Sequence, residues 1–322
     1  MNPDRGFFGH PSGLSTLFFT ELWERFGYYG MRALLVLFMT AAASAGGLGY
    51  PATKAFAIYG LYTASAYLAS LPGGWIADRI LGQQRAVLLG GVIISIGYLS
   101  LAIPTEAAFF GGMVVVVIGT GLLKPNASTV VGQIYSPNDP RREAGFSIFY
   151  MGINIGSTVA PLACGFVGEL VNWRWGFALA GIGMLFGCLT FWRGRKRLGE
   201  AGLHPVAPPT PEIGAAWRRN FRNAILGFIA VFAIGAALHF SGLLELTAER
   251  LVNAYGFVLV GVTLVLFGWM IFGGDWTGAE RRRMAVIVVL FCGSALFWAA
   301  YEQAGSSFNL FARNHTDRML GS

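Results

Sequence analysis

Nine stretches of this sequence stay apolar for about 20 residues, the length a helix needs to cross a bilayer. They fall at about 14–43, 54–76, 86–104, 108–131, 146–169, 174–192, 221–243, 252–273 and 285–310. In hydrocarbon every backbone amide and carbonyl must find its partner within the chain, so only helices and closed barrels can span. The runs are continuous rather than alternating, which selects helices over barrel strands. The expected fold is therefore an all-α polytopic membrane protein of about nine spans. Charged residues make up 12% of the chain, about half the usual share in soluble domains, too few to cover a water-facing surface. Disorder is excluded, because disordered segments join low hydrophobicity to high charge. The first run is long, carries internal charges and lacks a small-residue cleavage site, so it is expected to remain as a helix rather than to be removed as a secretion signal.

The placement of lysine and arginine sets the orientation. With the amino end in the cytoplasm, the inner segments hold Arg5, Arg79, Arg85, Arg141, Arg142, Arg193, Arg195, Lys196 and Arg197, together with the hairpin flanks Arg218, Arg219, Arg222, Arg281, Arg282 and Arg283. Outside lie only Lys54, Arg174, Arg250, Arg313 and Arg318. This asymmetry accounts for the net charge of +7 as an orientation signal and gives no footprint for nucleic acid. Six spans with short connections form one bundle over residues 1–200. A basic and Pro-rich linker follows, leading into two spans expected to lack buried ionisable residues; linker and spans together occupy 201–280, and the two spans read as a lipid-facing hairpin. Residues 281–322 hold the ninth span.

Enzymatic chemistry has no residues to rest on. Cys164, Cys188 and Cys292 all lie in apolar runs, and His10, His204, His239 and His315 are scattered without ligand spacing, so no disulfide scaffold, metal site or cofactor is expected. Glycine-rich strings such as Gly73-Gly74 and Gly119–Gly121 sit in apolar helices, where close helix packing explains them better than phosphate binding.

The chemistry lies in charges that hydrocarbon should reject. Glu21, Arg25, Tyr28 and Arg32 share one face of the first span at 100° per residue, with Glu24 and Tyr29 at its edges. Each charge costs at least about 2.5–3.5 kcal/mol at membrane depth, so the stripe must face a wet cavity or find partners. Lys124 sits late in the fourth span, just before the helix-bending Pro125. In the fifth span Tyr150, Asn154 and Ser157 recur at helical spacing, offering uncharged hydrogen-bonding groups. In the ninth, Glu302 lies one turn from Trp298. A lone carboxylate there is either held protonated or paired, and Arg32, at matching depth, is the expected partner.

Five patterns in order resemble the proton-dependent oligopeptide transporters of the major facilitator superfamily. Glu21-x-x-Glu24-Arg25-Phe26-x-Tyr28-Tyr29-Gly30 is similar to that family's first-helix motif, and Gly74-Trp-Ile-Ala-Asp78-Arg79-Ile-Leu-Gly82-Gln-Gln-Arg85 to the superfamily's loop motif between helices two and three. Gly121-x-x-Lys124-Pro125-Asn126, Phe149-Tyr150-x-x-Ile153-Asn154-x-Gly156-Ser157 and Phe297-Trp298-x-x-x-Glu302-Gln303 resemble its fourth, fifth and seventh helices. The resemblance implies a major facilitator N-terminal six-helix bundle, a two-helix insertion hairpin and helix seven, with helices eight to twelve missing. It also implies roles. Glu21 and Glu24 would handle protons. Arg25 and Lys124 would couple to them and neutralise the peptide carboxylate. Tyr28, Tyr29, Tyr67, Asn154 and Trp298 would line the peptide site. Arg32 and Glu302 would form an outer gate, and Gly74, Asp78, Arg79, Gly82 and Arg85 a loop closing against the other half.

The expectation is proton-coupled symport of di- and tripeptides across the bacterial cytoplasmic membrane by a truncated carrier, with protons, peptide and the lipid bilayer as partners and no nucleic acid. Two alternatives stay open: a non-transporting fragment (a remnant, a regulatory subunit, or a split half whose C-terminal partner is supplied separately), and a carrier of another small anion such as nitrate.

Overall fold

Apolar runs become helices here because each closes its own backbone hydrogen bonds. The computed structural model describes residues 6–243, 247–274 and 276–317; Arg5 and Arg318 of the orientation count lie outside them. Eleven α-helices carry the described chain. In order they are α1 (Gly13–Thr40), α2 (Ala52–Leu68), α3 (Ser70–Ile76), α4 (Gln83–Leu101), α5 (Glu106–Gln133), α6 (Arg142–Leu170), α7 (Trp173–Gly194), α8 (Pro211–Phe240), α9 (Ala248–Phe272), α10 (Gly278–Tyr301) and α11 (Ser307–His315). Seven, α4 to α10, are long and apolar enough to cross a membrane. α1 has the length but also the charges.

Two expected spans are interrupted. The second divides at Ala69 into α2 and α3, where Pro72 has no amide hydrogen to offer the Leu68 carbonyl. The ninth ends as an α-helix at Tyr301, passes through a tight turn over Glu302–Gly305, and resumes as α11. Glycine explains that turn: a side chain on Gly305 would run into the Tyr59 hydroxyl and the Arg32 guanidinium, so the chain can pass only as bare backbone.

α1 occupies the middle of the bundle, packed along α6 and α7, while α4 packs on α5 and α7. The approach of α1 to α6 needs Gly156, whose missing side chain would otherwise strike the Leu22 carbonyl. Phe38 of α1 meets Phe109 of α5 at 5.0 Å and Phe177 of α7 at 5.4 Å, knitting three helices in one buried aromatic cluster. By contrast α8, α9 and α10 expose most of their surface, with Met284 the one buried residue among those described on α10. α9 packs along α2 and touches α10, where Phe267 and Phe291 meet at 5.0 Å.

The segment after α7 folds back as a strap over the turn between α3 and α4. The Gln84 side-chain amide donates to the Gly199 carbonyl at 3.0 Å and the Ala201 carbonyl at 2.9 Å, and its backbone amide donates to the Gly202 carbonyl at 2.8 Å. Val206 N donates to the Asp78 carbonyl at 2.7 Å, and the Asp78 carboxylate accepts from Gln83 Nε2, also at 2.7 Å. Gly82 makes the turn at φ +80°, a conformation that side chains resist, and a Cβ there would lie 2.7 Å from the Leu203 carbonyl. The Arg79 guanidinium sits 4.2 Å from the ring centroid of Trp217 at the start of α8.

At the same end of the bundle the loop between α5 and α6 is tied to the segment before α1. Arg141 donates to the Gly9 carbonyl at 3.0 Å, and His10 Nδ1 pairs with the Tyr135 hydroxyl at 2.9 Å. Arg141 also grips Asp139, with Nη2 2.7 Å from Oδ2 and the backbone amide 2.9 Å from Oδ1. These hydrogen bonds hold the Asp139 carboxyl down to about 2. Because the folded value is depressed, the stabilisation is complete above the ordinary carboxylate value and is lost as pH falls toward about 2.

Two outcomes follow. Gln84→Leu should lose both carbonyl contacts at a cost of about 1–3 kcal/mol, read as faster proteolytic nicking of the 199–206 strap with helix content unchanged. Acidification from pH 7 to 4 should leave the Arg141–Asp139 clasp closed, whereas Asp139→Asn should loosen the Gly9–His10 tether already at pH 7, read by amide exchange in that segment.

Candidate functional site

Helical spacing places the charged residues of α1 in one column, and all four are buried within the bundle. Glu21, Glu24, Arg25 and Arg32 are 3%, 1%, 7% and 5% exposed. Arg25 Nε lies 2.8 Å from Glu21 Oε1 and 2.9 Å from Glu24 Oε2. Nε carries one hydrogen, and it is directed to Glu21. Glu24 Oε2 therefore faces the guanidinium without receiving a hydrogen bond, and Glu21 Oε2 is likewise buried without one. The arrangement is a buried cation shared between two anions, with acceptor capacity left over. Lys124 of α5 is half-buried with its ammonium 3.8 Å from the ring centroid of Tyr67, and its positive field acts on both glutamates. Counted together, Glu21, Glu24, Arg25 and Lys124 sum to zero charge when all are ionised.

The upper part of the column is a second cluster. Arg32 Nη2 lies 2.9 Å from Glu302 Oε2, and Arg32 Nε donates to the Tyr59 hydroxyl at 2.6 Å. That hydroxyl is in turn 3.2 Å from the Glu302 carbonyl and 3.3 Å from Oε2. α1, α2 and the turn after α10 thus meet on three polar side chains. Tyr28 and Tyr29 flank the column: Arg25 lies 5.9 Å from the Tyr28 ring centroid and Arg32 5.7 Å from that of Tyr29.

Other expected residues stand apart from this core. Asn154 is exposed on α6, with its carbonyl capping the Ser157 and Thr158 hydroxyls. Trp298 is 47% exposed and packs on Phe297 and Tyr301 of its own helix. Tyr67 is also 47% exposed, but reaches Lys124. Asp78, Arg79 and Gly82 are engaged by the strap and α8, Gly74 packs partly buried near Pro125, and Arg85 is exposed. Asn126, the last residue of the fourth-helix pattern, serves packing: its amide donates to Leu122 O at 2.7 Å and reaches Gly73 O at 3.4 Å.

Sequence reasoning missed Tyr59. Its signal was a hydroxyl facing inward one turn from Tyr62 in an otherwise greasy second span, but nothing local tells which tyrosine meets an arginine on another helix. Asn309 was missed as well; it donates to the Ala33 carbonyl at 2.8 Å and docks α11 on α1.

Residues 84–322 match the POT family profile (PTR2), and the chain belongs to that family. It is similar to the peptide transporter YePEPT of Yersinia enterocolitica, 41% identical over 98% of this chain and 63% of the relative. It is likewise 39% identical to a di-/tripeptide transporter of Lactococcus lactis, over 98% of this chain and again 63% of the relative. Among solved structures, a peptide transporter POT in complex with sulfate superposes with a TM-score of 0.91 at 44% identity, covering 98% of this chain and 63% of that one. The chain thus spans 63% of the length of these relatives, and it is a multi-pass membrane protein of their helical fold.

The Arg32–Glu302 pair predicts a coupling energy of about 0.5–3 kcal/mol in a double-mutant cycle. Thermal midpoints of Arg32→Ala, Glu302→Ala and the double variant should be less than additive; strict additivity would remove the ion pair. The reversed pair Arg32→Glu with Glu302→Arg should outperform either single reversal.

Proposed function

We propose that this chain works in proton-coupled symport of di- and tripeptides, as a carrier rather than an enzyme. The observation that carries this reading is the buried Glu21–Arg25–Glu24 set beside Lys124. Four ionised groups that cancel in charge leave no room for a fifth. When a peptide carboxylate binds at Arg25 and Lys124, the site becomes anionic, and a proton on a glutamate restores neutrality. Glu24, which receives no hydrogen bond from Arg25, is the easier of the two to protonate, and Glu21 is the second acceptor. Peptide and proton occupancy thereby become linked, each raising the affinity for the other. The inward drive is about 2.3 kcal/mol per charge per 100 mV of potential, with about 1.4 kcal/mol more per pH unit.

Tyr28, Tyr29, Tyr67, Asn154 and Trp298 supply the walls of the peptide site. Aromatic and amide groups suit a ligand whose backbone is constant and whose side chains vary. Arg32 with Glu302 forms the outer gate, held in register by Tyr59. Gly74, Asp78, Arg79, Gly82 and Arg85 form the loop that meets the opposite half during rocking. The division into a bundle over 1–200, a linker and hairpin over 201–280 and a further helical unit over 281–322 belongs to the same proposal. So does residence in the cytoplasmic membrane with the amino end inside, supported by the skew of Lys and Arg toward one side.

A second reading has its own support. α10 leaves nearly all its surface exposed, as does the Tyr150–Asn154 side of α6, so a separately supplied C-terminal half has faces to cover. In that reading the chain binds peptide and moves none alone.

Labelled dipeptide uptake into proteoliposomes under an inward proton gradient separates the two. The symport reading expects uptake that collapses with the gradient and falls at least about tenfold, equivalent to about 1.4 kcal/mol, in Lys124→Ala. Dipeptide binding without uptake supports the second reading. Neither binding nor uptake overturns both.

A further inference from the structure

A groove of about 610 Å³ runs along the seam of α1 and α7, at the end of the bundle where basic residues crowd. It owes nothing to the charged column, which faces the other side of α1. Its wall is divided by chemistry. Phe19, Trp23 and Phe186 line one part, and Ser15, Arg193 and Arg197 the other. Along α1, Ser15 and Trp23 are eight residues apart, about 12 Å of helix rise, so the greasy and cationic parts are displaced along the membrane normal rather than mixed. Phe19 is 43% and Phe186 49% exposed, hence both are open to whatever fills the groove. Arg197 is anchored by its contact to Ser15 Oγ at 3.4 Å. Among the described residues neither Arg193 nor Arg197 has a carboxylate within salt-bridge distance, unlike the paired arginines of the column.

We propose that this groove is a binding site for one anionic glycerophospholipid, with an acyl chain along Phe19, Trp23 and Phe186 and the phosphodiester between Arg193 and Arg197. A concave apolar seam on a membrane protein is filled by lipid, and charge decides which lipid. A single guanidinium would meet the phosphate that every glycerophospholipid carries. Two guanidiniums lining one groove disfavour a headgroup that brings its own cation and favour one with net negative charge. The inference needs only that the chain lies in a membrane; it does not depend on the symport reading.

Trp23 makes the site observable. The full chain is reconstituted in phosphatidylcholine vesicles containing either brominated phosphatidylglycerol or brominated phosphatidylcholine, whose bromines quench nearby tryptophan. The signal lost between the parent and Trp23→Phe isolates Trp23 from the other tryptophans. The expected result is a Trp23 preference for the brominated anionic lipid on the order of tenfold over the zwitterionic one. Arg193→Gln with Arg197→Gln should abolish the preference, and the two Arg→Lys replacements should keep part of it. Arg195→Gln with Lys196→Gln removes the same charge from residues that do not line the groove and should leave it intact. Equal quenching by both lipids in the parent overturns the proposal, as does equal loss in both Gln doubles, which would reduce the effect to general surface charge. Absence of Trp23 quenching by either lipid, the sign of a protein segment filling the seam, overturns it too.

Discussion

A guanidinium buried between two carboxylates is the constraint from which the rest of the structure follows. Arg25 cannot face lipid, so α1 cannot be a peripheral helix, and the bundle has to close around it. Glycines on α6 make that closure possible: without Gly156 the backbone of α6 could not come close enough to shield Arg25 from lipid. Removing either carboxylate would leave an under-compensated charge in a low-dielectric site, a change that costs about 3–5 kcal/mol where it has been measured for buried pairs. The polar residues therefore dictate packing as firmly as the apolar ones do.

The second polar cluster has a different consequence. α10 offers the bundle little apolar contact, yet its end is fastened by Arg32, Tyr59 and Glu302, and α11 beyond it by Asn309. The break after Tyr301 leaves the Glu302 carbonyl free for Arg32 and Tyr59, whereas in a continuous α-helix it would accept from the amide four residues on. Attachment through a few charged and hydroxyl groups is directional and reversible. Broad apolar packing would be neither, which makes such a joint suitable for opening and closing.

Much of this was readable in advance because it rests on local rules. Hydrophobic run length located the helices, and 100° spacing put Glu21, Arg25 and Arg32 on one column before any neighbour was known. Depth matching suggested Arg32 for Glu302. What could not be read is what depends on contacts between distant segments. Gln84 looks like an ordinary polar residue at a helix start, and its role as anchor of the strap depends on carbonyls more than a hundred residues away. The contact of Arg79 with the Trp217 ring is of the same kind, since it depends on α8 beginning beside that turn. The breaks at Ala69 and Tyr301 were invisible to hydropathy, which averages over the single residue where a hydrogen-bond ladder slips.

The two clusters sit on the same helix face only a few residues apart, and that proximity has a physical implication. Arg25 and Arg32 are separated by seven residues, about 10 Å along a straight helix, so a change in charge at one end of the column is felt at the other through a medium that screens poorly. Lys124 and Glu302 act on each other's charge across the same space. An added anion beside Arg25 competes for the positive potential that also holds Glu302 at Arg32. On the proposed reading, filling the lower cluster would weaken the upper joint, and a proton on a glutamate would restore it.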